Sequence, residues 1–141
     1  MNLSSALDNF LLCGEPGMEM EYIGQGLDRT VFRSGDFVYK FESECQHDPK
    51  ECQNLLEYRN YEILIKMDLP DPWILAPMEL VHVGSHPVIK MPYVDGVMDY
   101  NDPQDISIAL EVFAIATGLC DVVPPNVAWD GNNLIPVDLG I

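Results

Sequence analysis

The sequence predicts an α+β fold, and three patterns predict it. Short runs rich in aromatic and β-branched residues, divided by Gly and Ser-Gly-Asp turns, occupy residues 20 to 41. A longer segment from Pro49 to Met67 carries apolar residues at helical spacing. Strand-like runs return between Ile74 and Met91, and a second helical segment and a short hairpin follow. With 141 residues, 48% of them apolar, the chain is one domain with enough material for a real core.

Taken in order, Ser4 or Ser5 is placed to cap a short helix running through Ala6, Phe10, Leu11 and Leu12, which Gly14 closes. Residues 1–17 then form an accessory N-terminal element. Strands follow at Met20–Ile23 and Gly24–Phe32. A Ser34-Gly35-Asp36 turn leads into Phe37–Phe41, and two tight connections make these three strands antiparallel. Alternation along the third strand puts Lys40 on the same face as Val38. The Pro49–Met67 helix offers Lys40 two carboxylates, Glu57 and Glu62. Five residues apart, they differ by about 140° around a helix of roughly 3.6 residues per turn, so only one faces the sheet. Tyr61 and Leu64 follow Glu57 at i+4 and i+7, giving it an apolar-flanked stripe, whereas Glu62 has Lys66 at i+4 as a solvated partner. Glu57 is therefore the expected partner of Lys40.

Asp68-Leu69-Pro70-Asp71-Pro72 breaks that helix. Strand resumes over Ile74–Val83, turns at Gly84-Ser85 and continues through His86–Met91 into Pro92-Tyr93-Val94. His82 and His86, flanking the turn, read as surface or edge residues. Asp102-Pro103 opens a helix from Gln104 to Thr117, with Ile106, Ala109, Leu110, Phe113 and Ala114 on one face and Gly118 as its stop. Beyond it, Asp121 is followed five residues later by Asn126. Val127-Ala128-Trp129 and Leu134–Val137 then flank an Asp130-Gly131-Asn132-Asn133 turn, and Asp138-Leu139-Gly140 follows. A hairpin here brings Asn126 and Asp138 back together. Taken alone, the Asp121 to Asn126 spacing is more often that of an ordinary acidic loop before a hairpin.

Twenty-three acidic residues against seven basic ones give a formal charge of −16. Such a surface repels nucleic acid and anionic membrane and favours a protein partner with a basic surface. No apolar run approaches the eighteen or so residues of a membrane span and no basic, then apolar, leader is present, so a cytoplasmic protein is expected. Cys13, Cys45, Cys52 and Cys120 are irregularly spaced and are expected as thiols. Cys45, His47 and Cys52 sketch half a zinc site with no second ligand pair behind it.

Gly24-Gln25-Gly26 with Val31, Lys40, Glu57, Met91-Pro92-Tyr93-Val94, Asp121 with Asn126, and Asp138-Leu139-Gly140 stand in the order of the protein-kinase superfamily, and the chain resembles that family from about residue 20 to 140. The resemblance implies a kinase-like N-lobe and hinge over 18–95, made of a five-stranded antiparallel sheet and one helix, and a much reduced helical part over 96–141. It implies ATP and Mg2+ as cofactors. Gly24 and Gly26 cover the phosphates, Val31, Val38 and Ala128 line the adenine site, and Met91 limits its back. Adenine takes the carbonyl of Pro92 and the amide of Val94. Lys40, held by Glu57, reaches the phosphates, Asp121 orients the acceptor hydroxyl, and Asn126 and Asp138 hold magnesium. Arg29 replaces the family's third glycine and could itself reach a phosphate; Leu119 replaces a histidine and Leu139 a phenylalanine. The stop at Ile141 implies a minimal kinase, similar to reduced kinases of bacterial effectors and phages. Two functions follow: partner-dependent transfer of a phosphoryl group to a serine or threonine of a protein, or a pseudokinase-like acidic inhibitor that engages a basic or nucleic-acid-binding partner.

Overall fold

The computed structural model describes residues 2–25, 29–42, 52–95, 104–119 and 126–139. Its elements are α1 (Leu3–Cys13), β1 (Glu21–Gln25), β2 (Arg29–Ser34), β3 (Phe37–Glu42), α2 (Gln53–Leu64), β4 (Glu79–Val83), β5 (His86–Pro92), α3 (Gln104–Thr117), β6 (Val127–Trp129) and β7 (Leu134–Pro136). The fold is α+β, with a five-stranded antiparallel sheet in the order β1-β2-β3-β5-β4 and a separate β6-β7 hairpin. Two compact units divide the chain, the first comprising Met1–Tyr58 with Met78–Tyr93 and the second Arg59–Pro77 with Val94–Ile141.

The first unit is built on strand alternation. Gly35 and Gly84, both at φ 62°, turn the chain at the β2-β3 and β4-β5 hairpins, where left-handed backbone costs glycine nothing. Phe32, Tyr39, Phe41 and Val88 form a buried cluster on one face of the sheet, and α1 covers it with Ala6, Leu7 and Phe10. Phe10 meets Phe32 edge-on at 5.8 Å and Phe41 at 5.4 Å between ring centroids. Burying such a ring contributes about 1.5–3 kcal/mol. Helix α1 thus belongs to this core. The cap of α1 is Asn2, whose Oδ1 accepts the Ser5 N–H at 3.1 Å; Ser4 and Ser5 already lie inside the helix. Gly14, at φ 82°, closes it by donating its N–H to the Phe10 carbonyl at 2.8 Å.

The segment expected as strand from Ile74 onward enters the sheet only at Glu79. Trp73 and Ile74 instead join the β6-β7 hairpin. The Ile74 N–H donates to the Leu134 carbonyl at 3.0 Å, and the Leu134 N–H to the Pro72 carbonyl at 2.9 Å. Pro72 and Pro77 have no N–H to give a ladder, which keeps the stretch between them out of the main sheet. Trp73 centres the second unit: its ring lies 4.4 Å from that of Phe113 on α3, and its Nε1–H donates to the Ala109 carbonyl at 3.1 Å. Helix α3 has its expected bounds, ending where Gly118 at φ 78° donates to the Ala114 carbonyl. Phe113 is fully buried, and Ala109, Leu110 and Ala114 are half-buried, in keeping with the expected face.

Helix α2 is shorter than its apolar spacing suggested, ending at Leu64, so Lys66 lies past the helix and both it and Glu62 are exposed. Its buried positions are Asn54, Glu57 and Leu64, at 0%, 0% and 2% exposure, whereas Ile63 and Ile65 are exposed. A mostly polar face is therefore the one packed away. His82 is exposed as expected on the edge strand, but His86 is half-buried, with its Nε2 buried and unbonded among the described residues. Cys13 keeps an exposed thiol, whereas Cys52 is disulfide-bonded, contrary to the expectation of thiols throughout.

Candidate functional site

Strand register gathers most of the candidate residues of the first unit onto one face of its sheet. Gly24 pairs with Val31, Val31 with Lys40 and Lys40 with Ile89, a continuous row across four strands. Directly opposed residues share a face, and positions two apart on a strand do too. Val38, paired with Met91, therefore joins Gly24, Val31 and Lys40 on the face opposite the α1 cluster. Val38 and Met91 are buried, while Val31, Pro92 and Val94 are half-buried. The Tyr93 N–H donates to the Asp36 carbonyl at 2.8 Å, which holds the exit of β5 beside the β2-β3 turn. Gly26 lies outside the described residues, as do Asp121, Cys45 and His47.

On that face, Lys40 Nζ donates to both carboxylate oxygens of Glu57, at 2.9 and 2.8 Å. The arrangement selects Glu57 over Glu62. Arg29 shares the carboxylate, its NH1 reaching Glu57 Oε1 at 2.5 Å and Asn54 Oδ1 at 3.2 Å. An arginine read as free to reach a phosphate is thus turned inward and only 7% exposed. Asn54 spends its amide donors on the carbonyls of Lys40 and Pro87, both at 2.9 Å. Glu42 accepts the α2 N-terminal amides of Gln53 and Asn54 at 2.9 and 3.1 Å, which satisfies two of the four donors a helix start leaves open. Five polar side chains, Arg29, Lys40, Glu42, Asn54 and Glu57, are each buried here. Burying charge costs several kcal/mol per ion and holds only with good geometry and satisfied hydrogen bonds, which this seam supplies.

Glu42 and Asn54 escaped the sequence reading, although a signal for each existed. Glu42 lies two residues beyond Lys40 on the same strand face, and Asn54 lies three before Glu57 on the same helix face. Neither signal stands out in the sequence, because polar side chains on strands and helices are by default solvated.

The second unit carries the candidate metal ligands. Val127 pairs with Pro136, and the Val137 N–H donates to the Asn126 carbonyl at 2.8 Å, so the hairpin brings the Asn126 backbone against Val137, the residue before Asp138. Both residues are half-buried. An amide carbonyl and a carboxylate are hard oxygen donors of the kind magnesium prefers, so this pair fits that ion. Ala128 is fully buried in β6. Asn60 Nδ2 donates to the Leu139 carbonyl at 2.7 Å, fixing the backbone just after Asp138. At the hairpin tip, the Asp130 carboxylate accepts the Asn132 and Asn133 N–H groups at 2.9 and 2.6 Å, and these amides hold its pKa below the ordinary carboxylate value.

No protein-family model matches the chain, and no curated protein matches it. Among the described residues no helix is long and apolar enough to cross a membrane.

Proposed function

We propose that this chain is an ATP- and magnesium-binding, kinase-like protein that transfers a phosphoryl group to a serine or threonine hydroxyl of a protein. The observation that carries the reading is the buried contact of Lys40 with both oxygens of Glu57, on the sheet face that also presents Gly24, Val31, Val38 and Met91. A lysine on a strand braced by a helix glutamate is the arrangement that kinases use to position nucleotide phosphates. In this reading Glu57 orients the Lys40 ammonium, and Lys40 donates to the phosphates. Val31, Val38 and Met91 supply apolar walls for the adenine, with Pro92 and Val94 offering one carbonyl and one amide. Asn126 and Asp138 would hold magnesium, which supplies charge neutralisation on the phosphates when bound. Asp121 orients the acceptor hydroxyl and takes its proton. The test is transfer of radiolabelled phosphate from ATP to a generic protein acceptor by wild type and Asp121→Ala. Label transfer that Asp121→Ala abolishes supports the enzyme, and label transfer equal in the two refutes the role of Asp121.

The charge of −16 favours a second reading, an acidic interaction protein that docks on a basic partner. In that case binding falls steeply with salt and survives Lys40→Met and Asp121→Ala together.

A further inference from the structure

Glu57 is a single carboxylate holding two cations from two different strands. Lys40, on β3, takes both oxygens, while Arg29, at the first position of β2, takes Oε1. Arg29 also bonds Asn54, so its guanidinium meets α2 at two points one helical turn apart. The three charged side chains are 8%, 4% and 0% exposed for Arg29, Lys40 and Glu57. In so little water, like charges repel and opposite charges attract more strongly than at a surface, so the energies of the two cations on one carboxylate are coupled. Arginine suits the permanent role: its charge is not lost at any ordinary pH, and its planar fork can engage two acceptors at once. Lysine suits a role in which the partner changes, since it is a compact charge on a flexible stem.

We infer that Arg29 is a positioning residue that holds Glu57, and α2 with it, whether or not Lys40 stays on the carboxylate, so that Lys40 can turn to an anionic ligand without unseating the helix. The turn of Lys40 toward phosphate rests on the nucleotide reading; the hold of Arg29 on Glu57 does not. Because Arg29 is the first residue of β2, the same bond ties the start of that strand to α2. The role is one of charge as well as shape, and it distinguishes Arg29 from a residue that merely fills space.

The test is a set of urea unfolding curves for wild type, Arg29→Met, Lys40→Met and the double variant. Each single variant leaves the carboxylate with one of the two cations that share it, and the double removes both. The double should shift the unfolding equilibrium by about tenfold to a hundredfold more than the product of the two single shifts, as for coupled buried charges. A double equal to that product overturns the proposal. If the double variant does not fold, adding Glu57→Leu should restore a folded protein by removing the buried carboxylate along with the two cations. A triple variant no more stable than the double also overturns it. In the Lys40→Met background, Arg29→Lys should keep most of the stability that Arg29→Gln loses, and equal losses would mean that only packing was involved. Titration with Mg-ATP separates the two readings. Strong coupling in a protein that binds no Mg-ATP retains the role of Arg29 and removes the nucleotide. An additive cycle in a protein that binds Mg-ATP does the reverse.

Discussion

Glu57 has no exposed surface, and its carboxylate accepts from both Arg29 and Lys40, so removing it takes from two buried cations the carboxylate they share. Breaking a buried pair from one side costs about 3–5 kcal/mol, far more than the pair is worth against an apolar substitute. Glu57→Ala should therefore lower the free energy of unfolding by that amount in urea titrations, while Glu62→Ala, at an exposed site, should move it by less than about 0.5 kcal/mol. Similar losses for the two would contradict the assignment of Lys40 to Glu57. Asp130 offers a test by pH. Its pKa is lowered from 3.8 by the turn amides of Asn132 and Asn133, so its contribution is present above that ordinary value and fades as pH falls through the lower, folded one. Asp130→Ala should unfold at a lower temperature than wild type at neutral pH, and the gap should close as the pH falls below the ordinary value of 3.8. A gap that stays constant into acid would mean that the carboxylate charge does not hold the turn.

The helices show which parts of the molecule were readable from the sequence. Helix α3 announced itself, because Asp102-Pro103 and Gly118 mark its ends and Phe113 sits on an apolar stripe. The β2-β3 and β4-β5 hairpins were equally plain from Gly35 and Gly84. Helix α2 was found, and the stripe from Glu57 to Leu64 is its buried face, as its spacing indicated. Asn54, on the same face, was not legible, since the cost of burying it is met by hydrogen bonds that hydropathy does not register. Ile74 and Leu75 read as strand on composition, whereas neighbouring prolines and the hairpin at Leu134 decided their place. At the candidate site, Lys40 and Glu57 were readable because helix geometry lets only one of two glutamates face the sheet. The second role of Glu57, toward Arg29, depends on a cross-strand row that no local pattern displays. Helix α1, expected as accessory, packs Phe10 against both Phe32 and Phe41. Phe10→Ala should cost about 3–5 kcal/mol, measured by the urea midpoint at constant slope. A loss under about 1 kcal/mol would show that α1 adds little to the stability of the sheet.

Over the whole chain, the charge of −16 sets a background of self-repulsion, with only seven cations to relieve it. Added salt screens exposed charges, with a Debye length near 10 Å at 0.1 M, but leaves buried pairs such as Lys40 and Glu57 largely unscreened. The unfolding temperature should therefore rise between about 0.01 and 0.5 M sodium chloride, and a fall would show that exposed ion pairs outweigh repulsion. The kinase-like reading is tested most directly by thermal unfolding with and without Mg-ATP, in wild type, Lys40→Met and Asp138→Asn. Nucleotide at a hundredfold above its dissociation constant should stabilise the wild type by about 2.7 kcal/mol. Lys40→Met should reduce the shift with or without magnesium, and Asp138→Asn should reduce chiefly its magnesium-dependent part. No shift in the wild type at millimolar Mg-ATP, or equal shifts in all three proteins, would contradict the assignment of this chain as a nucleotide-binding kinase-like protein.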